Sequence, residues 1–543
     1  MFNNAFQLLV LIGTPAHYGV WFHLPVKLKH ITTTNGQVHF EINTLPPPDA
    51  HTSIITMDNG LEERERLLGF EEQERNDLKQ RIWKEMKLTW RIAFPSILSR
   101  ITSFGQILVT QSFLGHVGEI ELASFALVQS IFLRFVNGIL LGMSSATETL
   151  CGQAFGAGHY HMMGIYLQRS WLVDCVTATI MLPVFIFGTP IMNLLGQQKD
   201  IAETGGVISL WLIPFVYNFV FSLTIQMFLQ AQLKNMIIGW LSTASFLLHV
   251  LMSWIFVSEL DLGIAGAMGS LNISAWLNII GLFVYIFCGW CPDTWKGFTN
   301  AAFTDILPVI KLSISSGVMI CLELWYNSIL VLLAGYMKNA TVAISAFSIC
   351  LNVSAFQLMI FLGFLGASCV RVSNELGRGN AKATKFSIKV ILTISACLGV
   401  ICWILCLIFG RQISYLFTTS EEIAEEVSKL SVLLSFSLLL NSVQPVLSGV
   451  AVGAGMQSTV AFVNLGSYYF VGVPTGVLLA YVANLGVTGL WIGLLGGIVI
   501  QTIILSFIIW RTDWDDQVNK ASQRLNKWLL KPSEKSDRSS LNM

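Results

Sequence analysis

Two stretches decide the fold. Gly142-Met-Ser-Ser-Ala146 runs on to Phe-Gly156-Ala-Gly158-His, and Gly363-Phe-Leu-Gly-Ala367 runs on to Leu-Gly377-Arg-Gly379-Asn. Sliding the chain on itself by 221 residues lays Gly142, Ala146, Gly156 and Gly158 over Gly363, Ala367, Gly377 and Gly379. Each stretch closes an apolar run of membrane-spanning length, so the chain reads as two copies of one membrane unit. Small residues there also let helices approach closely, and for the individual glycines packing is the simpler account. The paired Gly-x-Gly turns are not phosphate loops, because no strand precedes them.

Composition agrees. Of 543 residues, 54% are apolar and only 12% charged, against about 25% charged in a soluble chain; the mean hydropathy is +0.64. The charge gathers outside the apolar body, with 16 charged residues in 57–87 and 11 in 512–543. Only 33 are left for residues 88–511. This excludes a water-soluble enzyme, a disordered scaffold and a nucleic-acid binder. Thirty-two basic and 32 acidic residues give no sign of a polyanionic partner. Ten cysteines are scattered through apolar segments. Cys288-Gly-Trp-Cys291 has ligand spacing, but a structural zinc site needs four ligands, so the pair reads as packing thiols and no metal is expected.

A helix needs about 20 apolar residues to cross a bilayer, and twelve such runs follow one another from 89–113 to 486–510. The expected fold is therefore all-α and integral to the membrane. Residues 87–290 form an N-terminal lobe of six spans and 307–511 a C-terminal lobe of six, with 291–306 as linker. Six spans per copy make the repeat parallel, and two such lobes frame a central V-shaped cavity. Residues 1–86 and 512–543 are tails, with basic amphipathic helices expected over 76–91 and 517–530. Residues 1–56 lie outside the pattern. Met57-Asp-Asn-Gly60 resembles an ordinary start, so 1–56 are read as disordered or as a gene-model extension. Lys and Arg gather before span 1, between spans 8 and 9 (Arg371, Arg378, Lys382, Lys385, Lys389) and after span 12, which places both termini in the cytoplasm. Asn339-Ala-Thr341 is a sequon on the opposite side, in a loop too short for use.

An ionised side chain at mid-membrane costs about 2.5–3.5 kcal/mol on insertion scales, so each one asks for a reason. Glu323 lies about fifteen residues into span 7, roughly 22 Å along the helix. Ser316, Met319, Tyr326 and Asn327 share its face. A carboxyl held there can exchange a proton, as a proton-coupled carrier requires; a permanently hydrogen-bonded structural glutamate is the alternative. Arg100, Arg134 and Asp174 on spans 1, 2 and 3 suggest an intramembrane ion pair of structural character. Glu148 and Lys311 fall near span ends, where they can reach the headgroups. Pro95, Pro214, Pro445 and Pro474 mark bends, and Pro95 and Pro445 are the candidate moving parts, with plain helix curvature as the other reading.

Further blocks sharpen the reading. Glu148-Thr-Leu-Cys-Gly-Gln-Ala-Phe-Gly-Ala-Gly158, Tyr166-Leu-Gln-Arg-Ser-Trp171, Met319-Ile-Cys-Leu-Glu323-Leu-Trp-Tyr326, Arg371-Val-Ser-Asn-Glu-Leu-Gly377 and Leu447-Ser-Gly-Val-Ala-Val-Gly-Ala-Gly455 occur in this order. Over residues 60–525 the chain resembles the multidrug and toxic compound extrusion (MATE) family, in its plant DETOXIFICATION branch. The resemblance implies a two-lobed, twelve-helix antiporter that moves flavonoid-, alkaloid- or xenobiotic-type solutes against protons at the vacuolar or plasma membrane. It implies a monomer that needs the proton gradient and no cofactor, and it implies no enzymatic step. By position Glu323 takes the place of the C-lobe proton carboxylate. Asn441 stands where the resemblance implies a second acid. Asparagine cannot titrate, so Asn441 and Gln444 become hydrogen-bonding partners for substrate or for Glu323, with Tyr326 and Asn327 beside them. Arg100 occupies the span where bacterial relatives carry an aspartate, and Asp174 has no family role. A lipid-linked precursor flippase of similar plan would need a basic cavity, and an ion channel a carbonyl filter or charged ring; neither is evident.

Overall fold

The computed structural model describes residues 52–304, 306–334, 340–415 and 421–528. The readings of residues 1–56 and of the Asn339 sequon fall on residues almost wholly outside these. The chain divides into two units, Met1–Asn76 and Asp77–Met543. The first is described only from Thr52 onward, where it is helical.

Among its described residues the second unit is built of helices and the turns between them, with no strand. Hydrocarbon offers backbone groups no partner, and a helix satisfies them within itself. Among the described residues, twelve helices are long and apolar enough to cross a membrane. In the first half they are α1 Asp77–Val117, α2 Glu119–Gly156, α3 Tyr160–Ile186, α4 Ile213–Ala231, α5 Met236–Glu259 and α6 Gly263–Trp290. In the second half they are α7 Leu307–Ala334, α8 Ala340–Gly377, α9 Ala381–Ser414, α10 Glu421–Ala454, α11 Gln457–Val482 and α12 Gly486–Arg511. A short amphipathic helix, α13 Trp514–Trp528, follows. The lead-in expected over 76–91 is not a separate helix but the start of α1. Pro214 does not bend a span; it lies in the first turn of α4, where its missing N–H breaks no helical bond. Each half has its own core, around Phe125, Phe132, Phe185 and Val216 in the first and Tyr468, Leu434 and Trp491 in the second.

The halves meet under the 221-residue register. A Cβ on Gly142 of α2 would sit 2.4 Å from the Gly317 Cα of α7, and one on Gly363 of α8 would sit 2.4 Å from Ile97 of α1. The second helix of each half is thus pressed against the first helix of the other half at corresponding glycines. At the ends of α2 and α8 the mates touch each other: Gly156 lies against the Asn374 carbonyl and Gly377 against the Gln153 carbonyl, with hypothetical Cβ contacts of 2.0 and 2.2 Å. Gln153 and Asn374 are themselves mates, so the crossing is reciprocal, as across a two-fold axis. The Gln153 amide donates to Gly453 O at 3.1 Å, and the Asn374 amide to Ala231 O at 3.3 Å.

The face bearing this crossing also carries the start of α1 and helix α13; it is called the terminal face below. Arg371 binds Glu85 of α1 through both carboxylate oxygens, at 2.7 and 3.0 Å. It also holds Glu375 at 2.8 Å, and Glu375 in turn takes Arg378 at 3.0 Å. Helix α13 straddles the halves. Trp514 and Ala521 pack into the second-half cluster of Val372, Leu376 and Ile509, while Leu525 packs into the first-half cluster of Leu150, Cys151 and Met162. Arg524 donates to Gln153 Oε1 at 2.9 Å, and burial draws its guanidinium below the usual arginine range.

Overpacking a close-packed crossing costs about 1–3 kcal/mol. Gly156→Val and Gly377→Val are therefore expected to lower the melting temperature in detergent by similar amounts. Gly269→Ala, where a Cβ meets nothing within 4 Å, leaves it unchanged. Unequal losses at the two crossing glycines would contradict their equivalence.

Candidate functional site

Glu323 lies midway along α7 and turns toward α10 and α11. The Gln444 side chain of α10 donates to Glu323 Oε1 at 3.1 Å and reaches Ser448 Oγ at 3.3 Å. Tyr468 of α11 stands close enough for its ring oxygen and the glutamate charge to interact. That part of α11 is wound as a π-helix, Leu465–Gly472, which brings Tyr468 and Tyr469 together on the side facing α7; such windings recur at functional sites. Tyr469 donates to Leu322 O at 3.0 Å. Tyr468 donates to Gln501 Oε1, Gln501 to Asn464 Oδ1 at 2.7 Å, and Asn464 to Met319 O at 3.1 Å. The row thus returns to α7 one turn before Glu323. With the Gln444–Glu323 contact beside it, the row makes an open polar ring drawn from four helices of the second half.

The other predicted residues are placed unevenly. Tyr326 is 1% exposed and does not face a cavity. Its ring stacks on Tyr468 at 4.4 Å, and its hydroxyl donates to Gly493 O at 3.0 Å. Gly472 and Gly497 leave the space it fills. The Asn327 side chain lies outside the described residues. Asn441 is half-buried, one turn before Gln444 on the same helix, and makes no side-chain hydrogen bond among the described residues.

Pro95 and Pro445 lie inside continuous helices, and each has a donor at the carbonyl three residues earlier. Asn235 donates to Ile92 O at 2.6 Å, and Ser395 to Ser442 O at 2.5 Å. Neighbouring side chains thus fill part of the hydrogen-bonding gap that a proline opens.

The expected ion pair of Arg100, Arg134 and Asp174 is not formed. Asp174 accepts from Ser144 Oγ at 2.6 Å, and its other oxygen has no partner. Arg134 is exposed on α2. Arg100 faces the charge of Glu148 instead. Glu148 does not reach a headgroup region either: it is 3% exposed and sits at the joint between the halves.

A groove of about 690 Å³ opens elsewhere, between α2, α3 and α7. Its wall is aliphatic and aromatic, with Ile139, Val176, Ile180, Ile314 and Trp325. Cys321 and Leu322 face it, while Glu323 points to α10. The polar ring and the groove therefore lie on different sides of α7. Asn464, Tyr468 and Gln501 were not singled out from the sequence. The available signal was an amide and a tyrosine four residues apart within an apolar span.

Comparison with known proteins follows the same plan. The MatE family model matches residues 95–255 and again 316–478; the two starts, 95 and 316, are 221 residues apart. Protein DETOXIFICATION 24 of Arabidopsis thaliana is 58% identical over 84% of this chain and 91% of its own length. Protein DETOXIFICATION 25 of the same plant is 55% identical over 87% and 96%. The crystal structure of the eukaryotic MATE transporter AtDTX14 superposes with a TM-score of 0.77 at 31% identity, covering 82% of this chain and 99% of that one. A MATE structure in the bent conformation, 16% identical, shares the fold with a TM-score of 0.71.

A hydrogen bond to a charged group contributes about 1.5–3 kcal/mol. Gln444→Leu should destabilise the protein by that amount. In a double-mutant cycle with Glu323→Leu, a coupling of similar size is expected, and a coupling near zero would show the contact to be idle.

Proposed function

The chain belongs to the MatE family of integral membrane transporters, and from that premise we propose that it exports or sequesters organic solutes in exchange for protons, by alternating access. The observation that carries this reading is the Gln444 amide, 3.1 Å from Glu323 at mid-span. An amide can donate to an ionised carboxylate and, turned over, accept from a protonated one. An arginine in that position would hold the charged form alone. Gln444 therefore suits an acid that changes state during the cycle.

The cycle is competitive. With Glu323 ionised and the cavity open to the terminal face, which we assign to the cytoplasm, an amphipathic solute binds among aromatic and amide groups, Asn441 and Asn327 among them. A proton from the opposite, acidic side then neutralises Glu323. The solute contacts weaken, the lobes rearrange with Pro95 and Pro445 as bending points, and the solute leaves on that side. The proton is released to the cytoplasm as the cavity returns. Coupling rests on the different affinities of the two states for proton and solute. The solutes are of flavonoid, alkaloid or xenobiotic type, and the membrane is vacuolar or plasma. The protein works as a monomer without a cofactor.

Glu323→Gln is expected to abolish uptake driven by a pH gradient in vesicles while solute binding persists; full proton-driven transport by this variant would refute the assignment. Because Asn441 cannot titrate, one proton is exchanged per cycle. One pH unit then supplies about 1.4 kcal/mol, so accumulation of an uncharged solute should stop near tenfold per unit of gradient. A plateau near a hundredfold would require a second exchanged proton.

A further inference from the structure

The 221-residue register pairs Glu148 of α2 with Cys369 of α8, and these two buried mates lie close enough for their side chains to interact. Glu148 therefore sits where the pseudo-two-fold axis passes, one turn from Gly152, whose Cβ would meet Ser373 of α8. A buried carboxylate at the centre of a joint between two moving bodies is not explained by packing. Its Oε1 has no hydrogen-bond partner, and neither has the Nε of Arg100, which faces it from α1. Yet no ion pair joins the two among the described residues.

The surroundings add no other charge. Helix α4 brings the neutral Gln230, and α8 leaves room at Gly366, where a Cβ would lie 2.3 Å from Gln230 Nε2 and 3.5 Å from Glu148 Oε1. The titratable group of α8 there is Cys369. On α3, Asp174 is turned to Ser144 and Arg169 to Ala301 O. Helix α7 meets α2 through Ser316 and Gly317, and α10 through the Val452 and Gly453 carbonyls. Arg524 of α13 lies on Gln153, more than a turn away.

A sealed, half-compensated carboxylate has two inexpensive states: it carries a proton, or it closes onto its counter-charge with water at hand. These states suit different lobe positions, because α8 belongs to one lobe and α1, α2 and α4 to the other. We propose that Glu148 is a second coupling residue, taking up a proton as the lobes close on the terminal face and releasing it to Arg100-paired, hydrated form as they part. The proton comes from and returns to the same side, so the exchange ratio is untouched. Glu148 acts by biasing the joint; it is a positioning residue.

The proposal uses the alternating-access reading, and its test separates the two. Cys369 is fully buried at the joint, whereas Cys288 is exposed. Alkylation of Cys369 by a membrane-permeant maleimide, read by peptide mass spectrometry and normalised to Cys288, reports opening without any substrate. In the full-length wild type in vesicles, normalised labelling should rise about tenfold between about pH 6 and pH 8, following the proton released on opening. Glu148→Gln should label at the low value throughout, Glu148→Asp should restore the rise, and Arg100→Gln should shift it to higher pH. A wild-type rise retained in Glu148→Gln overturns the proposal. Should Glu148→Gln melt before labelling, the Arg100→Gln shift decides alone, and an unshifted curve also overturns it. If Glu323→Gln keeps proton-driven transport while labelling still follows Glu148, the exchange reading fails and this one stands.

Discussion

The rest of the structure depends on the crossing of α2 and α8, where two glycines let backbone meet backbone. Gly156 lies on the Asn374 carbonyl and Gly377 on that of Gln153, and no side chain larger than hydrogen fits at either point. In a bilayer, helices gain little from hiding apolar surface from lipid, so close approach and backbone hydrogen bonds must hold them together. The amides of Gln153 and Asn374 provide such bonds in reciprocal fashion. With that joint fixed, α7 is set against α2 through Gly142 and α1 against α8 through Gly363. The orientation of α7 in turn aims Glu323 at α10.

Much of this was legible in the residues. Twelve apolar runs, the parallel repeat and its offset all follow from sequence, because hydrocarbon permits a single secondary structure here and small residues mark where helices touch. Glu323 could be named because an acid in lipid asks for a reason, whereas Gln444 came only with the family resemblance around Asn441. What sequence could not supply was which face of a span meets which neighbour. Tyr326 shares the helix face of Glu323, yet its hydroxyl is committed to Gly493 O in the second-half core. Arg100 and Asp174 have opposite charges on spans 1 and 3, but the packing turns the aspartate to Ser144 and the arginine to Glu148. Counted from the end of its span, Glu148 falls near the headgroups, yet it is buried between the halves. Its depth is set by the continuation of α2 beyond the lipid-like run and by α8 lying across it.

Polar groups in the two halves are treated differently. In the second half, Tyr468, Gln501 and Asn464 pass hydrogen bonds on to Met319 O, and Gln444 donates to Glu323 beside them. At the joint, Glu148 and the Arg100 that faces it each retain an atom without a partner. A satisfied network fixes a geometry, while unsatisfied groups in a low dielectric store a reason to rearrange. The contrast agrees with the roles proposed above, a steady proton site in the second half and a joint that changes.

Helix α13 adds a consequence for the chain's idle setting. It grips one half with Trp514 and Ala521 and the other with Leu525 and Arg524. Separating the halves on that face must pull one end free. Uncovering a leucine alone forfeits about 1.5–3 kcal/mol, and every 1.4 kcal/mol is about a tenfold change in an equilibrium. The tail is thus a strap: fifteen residues tie the two halves together on that face, and parting them there would first have to uncover Leu525 or Trp514.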